Sequence, residues 1–497
     1  MSLYLGIDFG TSTNYVTRWN EEKKAVEDVT ALAGYGQRPV FPNVIYYDSE
    51  GKAILGDGAV KKGIGDPENC VYAVKRRIEE KGFHQYIPNI HKELNSRDIA
   101  RDIFSCMKQK VEEAYGSEKI DGCVVSVPFS FQHQERDIIK RAAENAGLKV
   151  IGLIEEPVAA ALSFGIADEI TTGKREKILI FDLGGGTFDV TIFDFFKISN
   201  TQFNIEVLTT DGKKDLGGLD IDNLIMGKMQ DELEKENPSY KMSSFSINNL
   251  SKEASQMRKE AIDAKIGLSD DEEYNVFFTS QANPDIVLDW DLALEEFNQW
   301  LEASGYLADI ENALEVSLLD ANLEKEDISR IILVGGTSNI PAIQDLVRNF
   351  FNKEPEKVKE PDMMVGEGAA IYCGICLNPS VDYRIVTRVS HAIGIKKKGK
   401  FMSLIERNSP YGQPSKIIYL PIKRKNREKN LDVYQGNQLH ADKVGRIHLP
   451  VSLLEKISES YLGIQLNTDK NGMVLYTLYD VKNNNYFKII DGIIEEV

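Results

Sequence analysis

The sequence predicts an α/β fold followed by a separate β domain, and three observations support this prediction. GIDFGTSTNYVTRW (6–19) and IFDLGGGTFDVTIFD (180–194) share one pattern of strand, glycine turn and strand, with aspartate, glycine and threonine in step. Strand-like and helix-like segments alternate around these two stretches, which is typical of α/β architecture. From residue 385 onward the chain changes to alternating strands with the turns TDKNG and KNNN.

The first half of the chain gives its elements in a clear order. Residues 1–19 predict strand, turn and strand, and 43–56 predict a hairpin. Residues 96–116 have helical periodicity and end at a glycine. A buried strand at 122–128 stops at a proline, and a helix at 133–148 has its C-cap signal at a glycine.

The second half adds an appended region before the β domain. A helix opens at 155–165 with a proline in its first turn. Residues 212–315 are mostly charged helix and predict an appended lobe, and 330–351 return to strand, glycine turn and helix. In the β domain we expect one helix, near 451–460.

Length and composition exclude several classes of protein. At 497 residues the chain is long enough for roughly two to four domains. It has no apolar run of about 18 residues and no basic N-terminal segment before an apolar stretch, so we expect a cytoplasmic protein without a membrane partner. The net charge of −18 argues against nucleic acid as a partner. Lysine-rich runs at 396–400 and 423–429 are interpreted as solvated loops.

The five cysteines do not suggest a disulfide framework, because they are odd in number and scattered. Cys373 and Cys376 form a C-x-x-C, but they lie in a small-residue apolar run that predicts a helix, and a zinc site would need a second ligand pair.

Glycine turns follow three apolar strands, at Gly10, at 184–186 and at 335–336. Glycine lets the main chain approach a phosphate closely and presents several N–H donors to its oxygens. Asp8 and Asp182 precede two of the turns and would repel phosphate unless a divalent cation stood between them, which suits Mg²⁺. Neutral donors are added by the hydroxyls of Thr11, Ser12, Thr13 and Thr187. Two facing turns are therefore predicted to hold a Mg²⁺–triphosphate.

The signal of one such turn is weak, because a D-x-G-x-x-T turn also links two strands in ordinary sheets. Two copies and a later V-G-G turn are much harder to obtain by chance. The P-loop and Rossmann alternatives lack their glycine fingerprints in this sequence.

These segments carry a resemblance to a known family. Together with VVSVPFSFQHQERDIIKRAAENAGL, IEEPVAAALSFG, DLGGLDID and LVGGTSNIPAIQDLV, they resemble the nucleotide-binding domain of the seventy-kilodalton heat-shock chaperones, in the actin-like ATPase superfamily. FMSLIERNSPYG, LDVYQGNQL and LGIQLNTDKNGMVLYTLYD resemble that family's peptide-binding β-sandwich. The resemblance implies a two-lobed actin-like ATPase domain with a duplicated ribonuclease-H-like core over 1–377, a linker at 378–388 and a β-sandwich over 389–497.

The resemblance also implies ATP or ADP with Mg²⁺ between the lobes, and a role for each matching residue. Phosphate contacts would come from Thr11, Ser12, Thr13, Gly184, Gly185, Gly186 and Thr187. Nucleoside contacts would come from Gly217, Lys265, Ser269, Gly335, Gly336 and Asp362. Asp8 and Asp182 would orient Mg²⁺ through its waters, and Asp189 would help bind K⁺.

The same resemblance implies the catalytic and signalling residues. Lys75 would position the attacking water, Glu156 and Asp182 are candidates for orienting it or accepting its proton, and Thr187 completes the catalytic set. Pro128 and Arg136 would report nucleotide state to the second domain. Read alone, Lys75 is a solvated lysine, Pro128 a strand stop and Arg136 a surface charge, so these assignments depend on the resemblance.

Several positions depart from the family pattern. Leu219 and Ile262 stand where the family has glutamates, which predicts weaker nucleoside binding. Gly152 replaces an arginine that docks J-domain co-chaperones, and NPSVDYRIVTR (378–388) replaces an acidic-aliphatic linker. These changes weigh against a J-domain co-chaperone and an exchange factor as partners.

The β domain departs further. Tyr419 and Ile422 keep apolar character at positions of the family's peptide cleft, whereas Lys429 replaces an apolar residue. Buried ammonium groups are costly without partners, so this surface is either open to solvent or built for acidic ligands. The chain stops at Val497 after the sandwich, from which we expect no helical lid and fast peptide exchange.

Three functions remain open from the sequence. The first is an ATP-hydrolysing chaperone of slow turnover that binds unfolded or extended polypeptide. The second is a nucleotide-regulated scaffold or assembly factor that holds one acidic protein partner. A small-molecule kinase on the same fold is the third, and it leaves the β domain without a part to play.

Overall fold

The computed structural model describes most of the chain. Its described residues are 2–29, 39–78, 80, 82–116, 119–164, 171–199, 202–356, 358, 360–378, 382–397, 399–422, 427–437, 440–457, 461–482 and 485–494. Most of the run at 423–429 therefore lies outside the described residues, as do Lys398 and part of the linker.

The first lobe is built on a mixed sheet of six strands. The order across the sheet is Val150–Glu155, Lys119–Val127, Ser2–Phe9, Thr13–Asn20 and Ala25–Asp28, with Val40–Pro42 paired to Thr13–Asn20. Smaller sheets are formed by Ala53–Leu55, Val44–Tyr47 and Cys70–Tyr72, and by His84–Ile87 with Lys92–Asn95. Its helices are Asp57–Gly65, Val74–Arg77, Ser96–Tyr115, His133–Asn145 and Glu156–Ser163.

The second lobe repeats the arrangement on a five-stranded sheet. The order is Arg330–Val334, Arg175–Leu183, Phe188–Ser199, Gln202–Lys213 and Asp382–Val386. Its helices are Gly218–Glu236, Ile247–Asp270, Leu294–Ala303, Tyr306–Ala321 and Pro341–Phe351. The helix Met364–Leu377 returns to the first lobe and packs on its sheet. The two sheets have the same arrangement around their central strands. Ser2–Phe9 pairs antiparallel with Thr13–Asn20 and parallel with Lys119–Val127. Arg175–Leu183 likewise pairs antiparallel with Phe188–Ser199 and parallel with Arg330–Val334. The repeated pattern of the sequence thus corresponds to two related sheets.

Apolar residues on the sheet faces explain why each lobe forms its own core. In the first lobe Ile7 and Phe9 pack with Phe104 and Ile103 of the helix Ser96–Tyr115. That helix begins with a capping box in which the Asn95 side chain accepts from the Asp98 N–H. A corresponding cluster in the second lobe joins its sheet to five helices.

The β domain is a sandwich of two four-stranded antiparallel sheets. One sheet has the order Lys400–Ile405, Ala392–Lys397, Lys429–Gly436 and Ala441–Leu449. The other has the order Ile418–Pro421, Tyr461–Thr468, Val474–Lys482 and Asn485–Ile493. Residues from both sheets, including Ile393, Val433, Leu462 and Leu478, form a single core between them. The predicted helix near 451–460 is one turn, Val451–Leu454.

Two segments differ from what the sequence suggested. The region 212–315 contains a β-hairpin, Glu273–Thr279 with Val287–Ala293, which the prediction of charged helices missed. The local signal in the sequence EYNVFFT is an apolar residue at every second position, Tyr274, Val276 and Phe278. Within the linker, Asp382–Val386 pairs in parallel with Gln202–Glu206, so this part of the connection is a strand of the second lobe.

Candidate functional site

The two glycine turns lie face to face between the lobes. A Cβ atom at Gly185 would be 1.9 Å from Ser12 Oγ, and one at Gly186 would be 2.4 Å from Thr11 Oγ1. Such separations are far below van der Waals contact, so only glycine allows the two turns to approach this closely. The three glycines that interrupt the strand pair are therefore explained by contact with the opposite lobe.

The third turn closes the site from the second lobe. Thr337 Oγ1 donates to Gly184 O at 2.9 Å, next to the turn at Gly335. Gly335 has a φ of +81°, a left-handed conformation that favours glycine. Gly217 lies behind the Gly184–Gly186 turn, where a Cβ would be 2.7 Å from Gly186 N. The backbone of all these turns converges on one place.

One cavity of 70 Å³ collects most of the predicted nucleotide residues. It is lined by Asp8, Gly10, Thr11, Ser12, Thr13, Lys75, Glu156, Asp182, Gly184, Gly185, Gly186, Thr187, Gly335, Gly336, Asp362 and two apolar neighbours. Asp189, Gly217, Lys265 and Ser269 are not among its lining residues.

The acidic residues of this cavity are buried around one lysine. Lys75 Nζ forms an ion pair with Glu156 Oε1, and both side chains are nearly inaccessible to solvent. Burial raises the pKa of the Asp8 carboxyl to about 6, with Lys75 acting in the opposite direction. Burial and the charges of Glu156 and Asp189 raise the pKa of Asp182 well above its usual range. A nearby cation would relieve this accumulation of negative charge.

Asp189 connects this site to the junction with the β domain. It is the register partner of Asp182 in the antiparallel pair and is buried. It also lines a cavity of 720 Å³ whose walls come from both lobes and from the β domain, with His391 and Arg407 among them. Asp182 in the site is therefore connected to the domain junction through its strand partner, Asp189.

The two residues predicted near the nucleoside occupy one helix of the second lobe, Ile247–Asp270. Lys265 Nζ lies 2.6 Å from Asp222 Oδ1 and donates to Gly218 O at 3.2 Å. Ser269 Oγ donates to Lys265 O at 3.1 Å. Lys265 thus braces the start of the helix that follows Gly217, and its role toward a nucleoside stays a prediction.

Sequence reasoning missed a link between the lobes at Arg76. Its guanidinium donates to Gly186 O at 2.7 Å and to Asp220 Oδ2 at 2.6 Å. Sequence reasoning also missed Ser126, whose hydroxyl donates to Asp8 Oδ1 at 2.8 Å. The only local signal for Arg76 was its place next to Lys75, because its partners lie more than a hundred residues away in the chain.

The predicted switch residue Arg136 lies at the contact between the first lobe and the β domain. Arg136 and Glu155 are 2% and 3% exposed, and Arg136 Nη1 lies 3.0 Å from Glu155 Oε1. The β domain supplies two more partners, since Tyr411 OH donates to Glu155 Oε1 at 2.9 Å and Asn471 O accepts from Arg136 at 3.1 Å. Pro128 lines the neighbouring cleft that also holds Lys75. The interpretation of Arg136 as a surface charge is wrong.

Two further contacts hold the β domain against the first lobe. The Val474 N–H donates to His133 Nδ1 at 3.0 Å, and the Leu153 N–H donates to Asn471 Oδ1 at 3.0 Å. Burial lowers the pKa of His133 to about 4, so the imidazole is neutral at pH 7 and Nδ1 is free to accept.

Arginines join the β domain and the linker to the second lobe. Arg407 Nη1 lies 3.2 Å from Asp320 Oδ2, and its Nη2 donates to Thr210 O at 2.9 Å. Arg388, at the end of the linker, bonds to Val207 O and to Glu206. Both lobes therefore contact the β domain directly.

The three predicted peptide-cleft residues do not face one surface. Ile422 is 3% exposed and belongs to the sandwich core, whereas Tyr419 is 51% exposed and bonds to Tyr486 on the outer side of its sheet. Lys429 Nζ donates to Pro421 O at 3.0 Å. Their role in peptide binding stays a prediction.

The comparison with protein families supplies the observation that decides the family. The model of the Hsp70 protein family matches residues 4–484, which spans both lobes and the β domain up to the start of its last strand. The chain belongs to the Hsp70 family. Hsp70 proteins are nucleotide-binding chaperones and generally ATPases that use ATP or ADP with Mg²⁺. They generally bind unfolded polypeptides and co-chaperones, and the actin-like ATPase fold expected from the sequence is confirmed.

The cysteines of this Hsp70 chain form no disulfide. All five cysteines are free thiols. Cys373 of the C-x-x-C is buried and its Sγ donates to Leu5 O, and burial raises the pKa of both Cys373 and Cys376. In the part of the chain that the structure describes, no three His, Cys, Asp or Glu side chains form a group that could hold a metal by themselves. No described helix is long and apolar enough to cross a bilayer.

Proposed function

We propose that this Hsp70 protein binds ATP with Mg²⁺ between its two phosphate turns, hydrolyses it slowly, and thereby controls the binding of unfolded or extended polypeptide. The observation that carries the proposal is the contact between the two glycine turns with Lys75, Glu156, Asp8 and Asp182 around it. Buried carboxylates around one lysine do not contribute to an apolar core, and they suit the binding of a charged ligand and its cation.

The donor set fits a polyphosphate. The N–H groups of Gly185 and Gly186 and the hydroxyls of Thr11, Ser12 and Thr13 line the cavity from opposite sides and would donate to phosphate oxygens, whereas the Gly184 N–H donates to Thr187 O. Asp8 and Asp182 would hold Mg²⁺, which when bound neutralises charge on the phosphates and on these buried carboxylates.

Hydrolysis needs a positioned water and a place for its proton. Lys75 stands at the cavity wall, where its fixed charge would orient the water and stabilise charge developing on the transferred phosphate. Glu156, paired with Lys75, and Asp182 are the acceptors within reach of the same cavity. Thr187 would donate to the phosphate from the second lobe. Asp189 is proposed to bind K⁺, and replacing K⁺ by Na⁺ should then slow turnover.

Entry of the nucleotide requires the lobes to separate. Pockets for small ligands usually measure about 300–1,000 Å³, whereas this cavity measures 70 Å³. Opening would break the bonds of Arg76 to Gly186 and Asp220, so Arg76 is proposed to hold the closed form.

Nucleotide state would reach the β domain through the junction. Arg136 and Glu155 share partners with the β domain, and the linker strand Asp382–Val386 is part of the second lobe's sheet. A shift between the lobes would strain both connections at once. The domain boundaries at 377 and 389 remain part of this proposal.

The test has two measurements. Calorimetry with Mg²⁺ present should detect ATP binding, and a labelled extended peptide should bind with an affinity that differs between ATP and ADP. Absence of ATP binding would overturn the proposal at its first step. Equal peptide affinity in ATP and ADP would overturn the coupling.

Stimulation by a J-domain protein is expected to be weak. A Cβ at Gly152 would lie 3.2 Å from Tyr372 Cε1, so no space is kept there for a long side chain. The ATPase rate with and without a J-domain protein, and with a model peptide, measures this directly. Strong stimulation by the J-domain protein would contradict the expectation.

One observation favours a second candidate, the nucleotide-regulated scaffold for an acidic partner. Residues 389–497 contain 17 Lys and Arg but 11 Asp and Glu, a net charge of +6 in a chain whose net charge is −18. Affinity capture from a cell extract separates the two functions, since one stoichiometric partner indicates the scaffold and many unfolded clients indicate the chaperone.

A further inference from the structure

Positive charge is concentrated at one end of the β-sandwich. The strand Ala392–Lys397 pairs antiparallel with Lys429–Gly436, with Ile395 opposite Val433. The end of the first strand and the start of the second therefore meet at the same end of the sheet. This brings together cations that are about thirty residues apart in the sequence, and we call Lys397, Lys400, Arg427 and Lys429 the basic end.

The side chains of the basic end are mostly accessible. Lys397 and Lys400 are register partners across the hairpin, so two like charges sit side by side. All members except the half-buried Lys429 are exposed. Two neighbouring lysines repel each other and lose that penalty when an anion lies between them.

The positive charge continues over the outer face of the same sheet. Lys443 and Arg446 share a single carboxylate, Asp432, at 3.1 Å and 2.7 Å. The hydrogen bond from Arg446 and the second bond from Lys443 lower the pKa of Asp432. Lys396 Nζ lies 4.3 Å above the ring of Tyr434, beside this group. Within the described part of this face and end, the seven cations outnumber the three carboxylates, Asp432, Asp442 and Glu428.

We propose that the basic end and this outer face bind an acidic, extended polypeptide segment. The proposal rests on the proposed function, because it names the chemical class of the polypeptide that the β domain holds. Strands about 4.8 Å apart give a spacing of cations that a segment of roughly four to six extended residues would span. Carboxylates along such a segment would pair with the lysines and reduce the repulsion between Lys397 and Lys400.

A polypeptide fits this charge distribution better than a nucleic acid does. Residues 1–388 carry a net charge of −24, because the β domain carries +6 of a total of −18. A long polyanion leaving the basic patch would meet that strongly negative surface, whereas a short acidic segment stays within the patch. Exposed lysine runs are usually solvated and bind no ligand, and the experiment distinguishes that case from specific binding.

The experiment measures binding of a fluorescent peptide of alternating Glu and Ser to the full chain by polarisation. Matched peptides carry Gln or Lys in place of every Glu, and an apolar peptide serves as a reference. Binding is measured at about 50 mM and about 500 mM salt, because screening shortens the reach of exposed charges. The variant Lys397→Glu/Lys400→Glu is compared with Lys92→Glu/Lys110→Glu, which reverses two exposed charges on the first lobe.

We expect the Glu peptide to bind at least about tenfold more tightly than the Gln peptide at low salt, and to weaken about tenfold at high salt. The Lys397→Glu/Lys400→Glu variant should weaken binding about tenfold and the control variant less than twofold. Circular dichroism and the ATPase rate verify that both variants are folded.

Several outcomes would overturn the proposal. Equal binding of the Glu and Gln peptides, or an unchanged affinity in the Lys397→Glu/Lys400→Glu variant, overturns it. The choice of a polypeptide is overturned if a single-stranded oligonucleotide displaces the labelled Glu peptide more strongly than the unlabelled Glu peptide does. Nucleotide-dependent binding of the apolar peptide alone overturns this inference but leaves the proposed function intact, whereas failure of ATP binding overturns only the proposed function.

Discussion

The contact of Tyr411 with Glu155 allows a quantitative test of how the β domain is held. The substitution Tyr411→Phe removes the hydroxyl that donates to Glu155 Oε1 at 2.9 Å. It keeps the ring, over which the Arg136 guanidinium lies at 5.9 Å. The change therefore isolates one hydrogen bond between the domains.

The size of the effect follows from the charge of the acceptor. A hydrogen bond to a charged group contributes about 1.5–3 kcal/mol. Glu155 keeps its bond to Arg136, so its charge is not left unpaired, and we expect the low end of that range. About 1.5 kcal/mol corresponds to a shift of about tenfold from the docked toward the undocked state. Arg136→Met would leave the charge of Glu155 without an ion-pair partner and should lower the stability of the docked state by about 3–5 kcal/mol.

Hydrogen–deuterium exchange measures this shift, because undocking frees the Val474 N–H from His133. We expect the Val474 N–H to exchange about tenfold faster in Tyr411→Phe. Tyr461→Phe is the matched control, since Tyr461 lies in the same domain and is half exposed. Exchange that is equal in Tyr411→Phe, Tyr461→Phe and the unchanged protein would refute the reasoning.

Three further predictions concern the site and the junction. Lys75→Ala should lower ATP turnover about 100-fold, as expected when a charge that stabilises the transition state is lost. ATP affinity by calorimetry should change little, and an unchanged turnover would contradict the role of Lys75. Gly185→Val places a side chain where Ser12 lies and should abolish hydrolysis by holding the lobes apart, and adding Ser12→Gly should restore part of it. Normal turnover in Gly185→Val would show that the turns need not close. Docking should be intact above pH 6.5 and weaken toward pH 4, because undocked His133 takes up a proton near 6.5 and docked His133 near 4. Exchange at Val474 measures this, and His133→Gln should remove the pH dependence; if the dependence persists, another group causes it.

Local patterns allowed the sequence to predict the phosphate turns. The aspartate, glycine and threonine of each turn are neighbours in the chain, so their spacing carries the geometry. The structure brings Asp8, Asp182 and Lys75 into one cavity with the glycines, as the sequence led us to expect. Their roles toward ATP and Mg²⁺ stay predictions.

Contacts between distant segments could not be predicted in the same way. Arg76 bonds to residues 110 and 144 positions away, and Arg136 reaches Asn471 across 335 positions. No local periodicity encodes such partners, and each arginine taken alone is typical of a helix surface. The hairpin Glu273–Thr279 had a local signal, but the charged helices on both sides of it concealed the alternation.

The strand Asp382–Val386 has a practical consequence for work on the two lobes without the β domain. It covers the backbone of Gln202–Glu206, which would otherwise be the outer edge of the second lobe's sheet. A fragment cut after Leu377 would expose unpaired N–H and C=O groups along that edge, and such edges recruit other chains into intermolecular sheets. A fragment extended through Val386 keeps these groups paired and leaves only the five-residue strand Asp382–Val386 at the edge, so the choice of a few residues at the terminus changes which backbone groups the isolated fragment exposes.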